Sequence, residues 1–413
     1  MIRERDSCLG VAVLALIMLI AGCSREPRAP TFHAEGEPQT LAEWGVLHID
    51  DGVLAPAAGV WAYELNTPLF SDYAEKLRTV WVPPGQSAKY SASRTFEFPV
   101  GTIVSKTFYY PRNSPIGTTE TGALAARLEL ASVRLVETRL LVRREAGWEA
   151  LSYVWDDTQR IATLRRAGEI IPLEIATSSV NGGSMQRFDY VVPDINQCAG
   201  CHATDVKRKA LSPIGLAARH LNRDVDYGAA MGHANQLTAW SEAGLLTGLP
   251  QAPSLASPSA VSGTVSGTVS GTVSGAVPKA ARWDDPSAEL DARARAYLDI
   301  NCAHCHNRAG PADTSGLSLD AAERSSVALG VCKSPIAAGR GTGDRRFGIV
   351  PGYPEESILV YRMAAVDPQV MMPELGRTLA HAEGVELISA WIAAWPGEQG
   401  CALSARRTPP AIH

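Results

Sequence analysis

The chain has 413 residues, of which 46% are hydrophobic and 20% charged, and its net charge is −5. That length exceeds one small core and points to two or three domains, while the composition excludes a disordered or fibrous protein. Mild acidity, with no basic run and no basic patch interleaved with aromatics, excludes a nucleic-acid binder.

At the N-terminus, Arg3 and Arg5 precede an apolar run from Cys8 to Ile20 that is too short for a comfortable membrane span. This reads as a cleaved secretory signal over residues 1–22. The run ends in Ile20-Ala21-Gly22-Cys23, which resembles the bacterial lipobox, so Cys23 is the expected lipidation site and the new N-terminus. Several acyl chains anchor stably where one is marginal. Ser24, not Asp, is by resemblance to known lipoproteins an outer-membrane signal, so the body is expected to face the periplasm, tethered by residues 23–44.

From about 45 to 193 the pattern is strand-like. Val136, Thr138, Leu140 and Val142 alternate with charged neighbours, Glu145-Ala146-Gly147 makes a turn, and Trp148 to Trp155 follows. Phe98-Pro99-Val100-Gly101 and Ile103 to Tyr110 add strands, so the expected domain is mostly antiparallel, sandwich- or jelly-roll-like. Residues 194–250 read as a small helical module, with helices over 215–222 and 234–246. A Val-Ser-Gly-Thr repeat then marks a linker over 251–283, too short to stack as a solenoid.

Residues 284–400 read as an all-α class I cytochrome c-like domain, followed by a tail over 401–413. Asp285-Pro286 is expected to start a helix whose face is Leu290, Ala294, Tyr297 and Leu298. Further helices are expected over 355–363 and 382–395, the last stopped by Pro396-Gly397.

Two motifs carry the chemistry: Cys198-Ala199-Gly200-Cys201-His202 and Cys302-Ala303-His304-Cys305-His306. In such a motif the two thiols add across the haem vinyl groups and the adjacent His reaches the iron, so two haem c groups are expected. A Cys₄ zinc site and a redox dithiol are the competing readings. The wide separation of the pairs and the export signal disfavour zinc, and a dithiol calls neither for the following His nor for two copies.

For the second iron the expected sixth ligand is Met372 in Met371-Met372-Pro373, with Met371 the alternative; His/Met ligation implies a high potential and a closed iron. For the first iron Met231 leads His233, His220 and Met185, and an open five-coordinate iron stays in play. Too few residues separate Pro193 from Cys198 for the helix that usually precedes such a motif. Cys332 and Cys401, in an oxidising compartment, are expected to form a disulfide.

The chain resembles a family of bacterial dihaem c-type cytochromes in several stretches: Tyr63 to Asp72, Phe98 to Gly101, Asn196-Gln197-Cys198, Pro213-Ile214-Gly215, Asn235-Gln236-Leu237, Gly330 to Lys333, Ala338 to Gly341, and Met372 to Arg377. These span about 45 to 395. The resemblance implies a periplasm-facing electron carrier whose relatives are associated with sugar-dehydrogenase-like propellers or β-helix proteins. The expected function is electron transfer from a periplasmic dehydrogenase as redox partner. One alternative is a peroxidase-like or oxidase enzyme with the first iron open; another is a partner- or carbohydrate-binding module with a haem relay. No hydrolase triad, phosphate loop or nicotinamide fingerprint points elsewhere.

Replacing the lipidated thiol tests the anchor: Cys23→Ser is expected to release the protein from the membrane fraction or to leave it unprocessed, as fractionation and intact mass would show.

Overall fold

The computed structural model describes residues 29–112, 124, 126–176, 185–205, 207, 210–228, 231–250, 277–395 and 401. Cys23, the signal segment, the repeats of the linker and the tail after Cys401 lie outside these residues. No described helix is long and apolar enough to cross a membrane.

The centre is a six-stranded antiparallel meander: β1 (Trp61–Ala62), β2 (Glu75–Trp81), β3 (Ile103–Pro111), β4 (Val133–Arg144), β5 (Gly147–Trp155) and β6 (Ala162–Leu164), in sequential spatial order. The β4–β5 hairpin pairs Arg144 with Gly147 and Glu137 with Val154, as the alternation of apolar residues predicts. Period-two alternation gives this sheet two buried faces. Leu77, Ile103, Leu140, Leu151 and Tyr153 pack with Trp44 and Leu54, beneath a three-stranded sheet formed by Leu47–Asp50, Val53–Pro56 and Leu128–Glu129. On the opposite face Val80, Val104, Leu141 and Ala150 meet Leu216, Leu221, Leu237 and Trp240 from the chain after residue 210. Farther along that face, Phe108 and Val154 meet Leu173 and Tyr190 of the ribbon β7 (Glu169–Ala176) and β8 (Met185–Val192).

The described helices are α1 (Ile195–His202), α2 (Ala218–Leu221), α3 (Gln236–Glu242), α4 (Leu290–Cys302), α5 (Ile358–Ala364) and α6 (Ala382–Ala393). They correct the expected fold class. Among the described residues strands outweigh helices, and those after residue 284 do not form an all-α class I cytochrome c-like domain. Between α4 and α5 the chain runs through short 3₁₀ turns and two isolated parallel bridges, Val331 to Ile349 and Phe347 to Ser357. The Gly, Ser, Pro and Asp residues of this stretch favour turns over continuous helix. Nor is 194–250 a separate helical module, because it shares a core with the sheet. Its ribbon β9 (Asp224–Asp226) and β10 (His233–Asn235) is strand, and Leu246–Thr247 pairs in parallel with Ala88–Lys89.

Several boundaries shift as well. The expected tether is packed in its second half: Thr31 N–H donates to Trp44 O at 2.8 Å, and Arg144 donates to the carbonyls of His33 and Gly36 at 2.7 Å. The end of the expected linker is also held, with Thr67 Oγ1 donating to Ala281 O at 2.8 Å and Asn222 Nδ2 to Val277 O at 3.1 Å. Helix α4 starts at Leu290, not at Pro286, because Asp285 spends its carboxylate on the Ser287 N–H and hydroxyl in a turn of its own. It packs through Ala294, Tyr297 and Leu298 on Leu387, Ile388 and Trp391 of α6.

One buried cluster joins the two motif-bearing regions. Asp299, one turn before Cys302, accepts from Arg219 Nε at 2.5 Å and lies 3.2 Å from His220 Nε2, both on α2. Burial works against its charge, yet the hydrogen bonds from His220 and Arg219 prevail and hold the carboxyl well below the usual range. Asp299→Ala would leave Arg219 without its buried partner and is expected to cost about 3–5 kcal/mol in urea unfolding at neutral pH. The depressed carboxyl stabilises the fold above the unfolded value near 3.9 and loses that contribution as pH falls below it, so Asp299→Asn should flatten the acid limb of the stability curve.

Candidate functional site

Helix α1 is short, and its start is fixed by a capping box. Asp194 accepts the N–H groups of Asn196 and Gln197 at 2.8 Å, while Gln197 Oε1 accepts from Asp194 N–H at 3.0 Å. The Cys198 to His202 motif therefore forms the body of the helix. His202 Nδ1 lies 2.8 Å from Ser212 O, and Ser212 N–H donates back to His202 O at the same distance. A carbonyl only accepts, so Nδ1 carries the proton and Nε2 is left with its lone pair. Burial, then the nearby Lys106 charge, push the imidazole down to about 3, which keeps it neutral.

The second motif follows α4 directly. His306 N–H donates to Cys302 O at 2.8 Å, and His306 Nδ1 lies 3.2 Å from Ser315 Oγ. That hydroxyl already donates to Ala312 O at 2.6 Å, so it accepts from His306 and again leaves Nε2 free. Burial, then Arg362, lower His306 to about 4. Both histidines thus have the tautomer and charge of an iron ligand, with the second nitrogen tied to an oxygen.

The four motif cysteines form no disulfide. Burial pushes Cys302 and Cys305 up to about 12 and also raises Cys198 and Cys201. Held protonated in this way, none of the four is an activated redox thiolate. Among the described residues no three His, Cys, Asp or Glu side chains converge on a position for a bare ion. A porphyrin, which supplies four of the iron's donors itself, fits two neutral thiols and one prepared imidazole at each motif.

Although about a hundred residues separate them in sequence, the motifs touch. Cys305 Sγ lies 3.6 Å from Gly200 O. Gly200 also faces the loop after Met372, where a Cβ at position 200 would stand 2.8 Å from Leu375 Cδ1. Met372 lines a small cavity with Cys302, Phe70, Arg377 and His381, while Met371 is buried. Arg377 holds this loop by donating to the carbonyls of Met372, Ala365 and Leu379 at 2.9–3.0 Å. His381 stacks on Phe70 with centroids 4.3 Å apart, and its Nδ1 lies 2.9 Å from the Tyr297 hydroxyl.

Met231 is 44% exposed at the β9–β10 turn and Met185 is 58% exposed, so neither is packed into the interior around His202. His233 lies on the surface near Asp226, and His220 is engaged with Asp299. Cys332 and Cys401 form a disulfide with Cα atoms 5.0 Å apart.

The sequence reading missed the floor under the first motif. Arg78, Lys106 and Arg139 are register partners on β2, β3 and β4, ending at Ser152 on β5. Arg78 pairs with Glu64 at 2.9 Å and Arg139 with Glu137 at 2.5 Å, but Lys106, between them, has no acidic partner among the described residues. Burial, then Arg139 and Arg78, lower Lys106 to about 7, and it acts electrostatically on Cys201 and His202. The available signal was three cations at inward-facing strand positions.

Comparison with family models, curated proteins and solved structures finds no match to this chain.

Close packing at Gly200 makes a direct test of the seam. Gly200→Ala is expected to change stability by no more than about 1 kcal/mol in urea unfolding, because the end of the half-buried Leu375 side chain can turn aside and Ala is the better helix former within α1, and a double-mutant cycle with Leu375→Ala should show the two positions coupled.

Proposed function

We propose that the chain is a dihaem c-type cytochrome that transfers electrons at the periplasmic face of a lipid-anchored location, drawing them from a dehydrogenase partner. The observation that carries this reading is the state of His202 and His306: each is neutral, each donates its Nδ1 proton to an oxygen, and each keeps Nε2 unpartnered beside a pair of protonated thiols. When bound, each haem supplies a one-electron Fe(III)/Fe(II) couple. Cys198 and Cys201 would hold one group and Cys302 and Cys305 the other. Ser212 and Ser315 orient the two imidazoles, and Arg377 fixes the loop that offers Met372. The contact between Cys305 and Gly200 brings the two carrying segments together, which suits relay from one group to the next. No hydrolytic constellation competes for these residues.

Intact mass after expression with a c-type maturation system should show two covalent haem additions; one addition, or bound zinc, would sink the reading. In the mature protein Met372→Ala is expected to lower the potential of one haem and open it to carbon monoxide, because a thioether favours Fe(II). An unchanged potential in both Met372→Ala and Met371→Ala would remove methionine from the site.

A further inference from the structure

This inference rests on the dihaem reading and concerns the first iron's other face. His304 is the variable residue before Cys305, and nothing in thioether attachment calls for an imidazole there. It is nevertheless buried, only 9% exposed. Its Nδ1 is fully enclosed and forms no hydrogen bond with the described residues. Nε2, the ring's other nitrogen, also makes no hydrogen bond to the described residues, so the imidazole is buried with its ligating nitrogen unengaged.

The surroundings of His304 indicate where that partner belongs. Cys305, next in sequence, lies with its Sγ 3.6 Å from Gly200 O of the first motif, which sets His304 one residue and His202 two residues from that contact, and the electrostatic influence of one ring on the other agrees with this placement. Lys106 acts on both rings from the sheet below. His202 Nε2 is free, and His304 Nε2 makes no hydrogen bond with the described residues. His306, two residues on, is already turned to Ser315 and serves its own motif. Of the four sequence candidates for the first iron, His220 is engaged with Asp299.

We propose that His304, carried by the second Cys-x-x-Cys-His motif, is the sixth ligand of the iron attached at the first motif, opposite His202. The first iron is then closed by two imidazoles, and the two attachment segments are linked through a metal bond as well as by packing.

The experiment uses the full-length protein after its two haem additions have been verified by mass, so failure of the dihaem reading is seen before any spectrum is taken. In His304→Ala one iron of the two should change from low to high spin by electron paramagnetic resonance and bind one carbon monoxide per chain. In His304→Gly added imidazole should restore the low-spin signal, which a merely structural role would not allow. His304→Met, which keeps a donor, should retain two low-spin irons and gain a second thioether–iron signature. Two low-spin irons with unchanged potentials in His304→Ala would overturn the proposal, as would Lys106→Ala opening the first iron while His304→Ala leaves it closed.

Discussion

The fold turns on one buried carboxylate. Asp299 sits on α4, one turn before Cys302, and its oxygens are taken by Arg219 and His220 of α2 and by the Ala321 N–H at 3.2 Å. The segment that carries the second motif is thereby fixed to the region that follows the first. The loop from Asn66 to Tyr73 reinforces the same junction. Asn66 donates to the carbonyls of Arg219 and Asn222, Phe70 N–H donates to Asn301 Oδ1 at 2.9 Å, and Asp72 accepts the N–H groups of Thr378 and Leu379 at 2.7 Å. Three distant stretches meet there through charged or amide side chains that burial would penalise if any one were removed.

The sheet supplies the other half of the environment. Its outer core is apolar, but the face under the first motif carries the row from Arg78 to Arg139, with Lys106 lacking an acid between two paired arginines. Tyr190 Oη donates to Glu137 at 2.7 Å, so one arm of the row is braced by β8 as well. Positive charge in a poorly screened interior favours whichever neighbouring centre is less positive. Under the dihaem reading Lys106, when protonated, would favour the reduced form at the first motif, as a thioether would at the second. The two groups would reach favourable reduction by different means, one through the surrounding field and one through an axial donor.

How much of this was legible in sequence depends on the range of the interactions. The β4–β5 hairpin and the buried face of α4 follow from local period and spacing, and each is found where those patterns put it. What escaped was non-local. An all-α C-terminal domain was expected because α4 and α6 are strongly periodic, yet the stretch between them carries turn-forming residues whose order comes from contacts to distant chain. The separate first module failed for a similar reason: Leu216, Leu221 and Trp240 have the spacing of a small helical core, but the apolar surface that covers them belongs to the sheet. Lys106 and His304 look unremarkable in isolation. Only register across three strands, and the meeting of two motifs about a hundred residues apart, gives them neighbours.

That irregular C-terminal stretch is held by constraints other than secondary structure. The Cys332–Cys401 disulfide closes a segment with a sequence separation of 69 that contains α5, Met372, Arg377, His381 and α6. In the chain-entropy account, closing a loop of that size removes about 4 kcal/mol of unfolded-state freedom. Arg377 then spends its guanidinium on backbone carbonyls and Asp72 its carboxylate on backbone N–H groups, so the loop bearing Met372 is fixed by side chains where a helix or strand would have used its own backbone. Such a loop can be shaped to a ligand in a way that a regular element cannot. Its position follows from a covalent bond and two buried ions, which places Met372 on the same cavity wall as Cys302 without a continuous helix to carry it there.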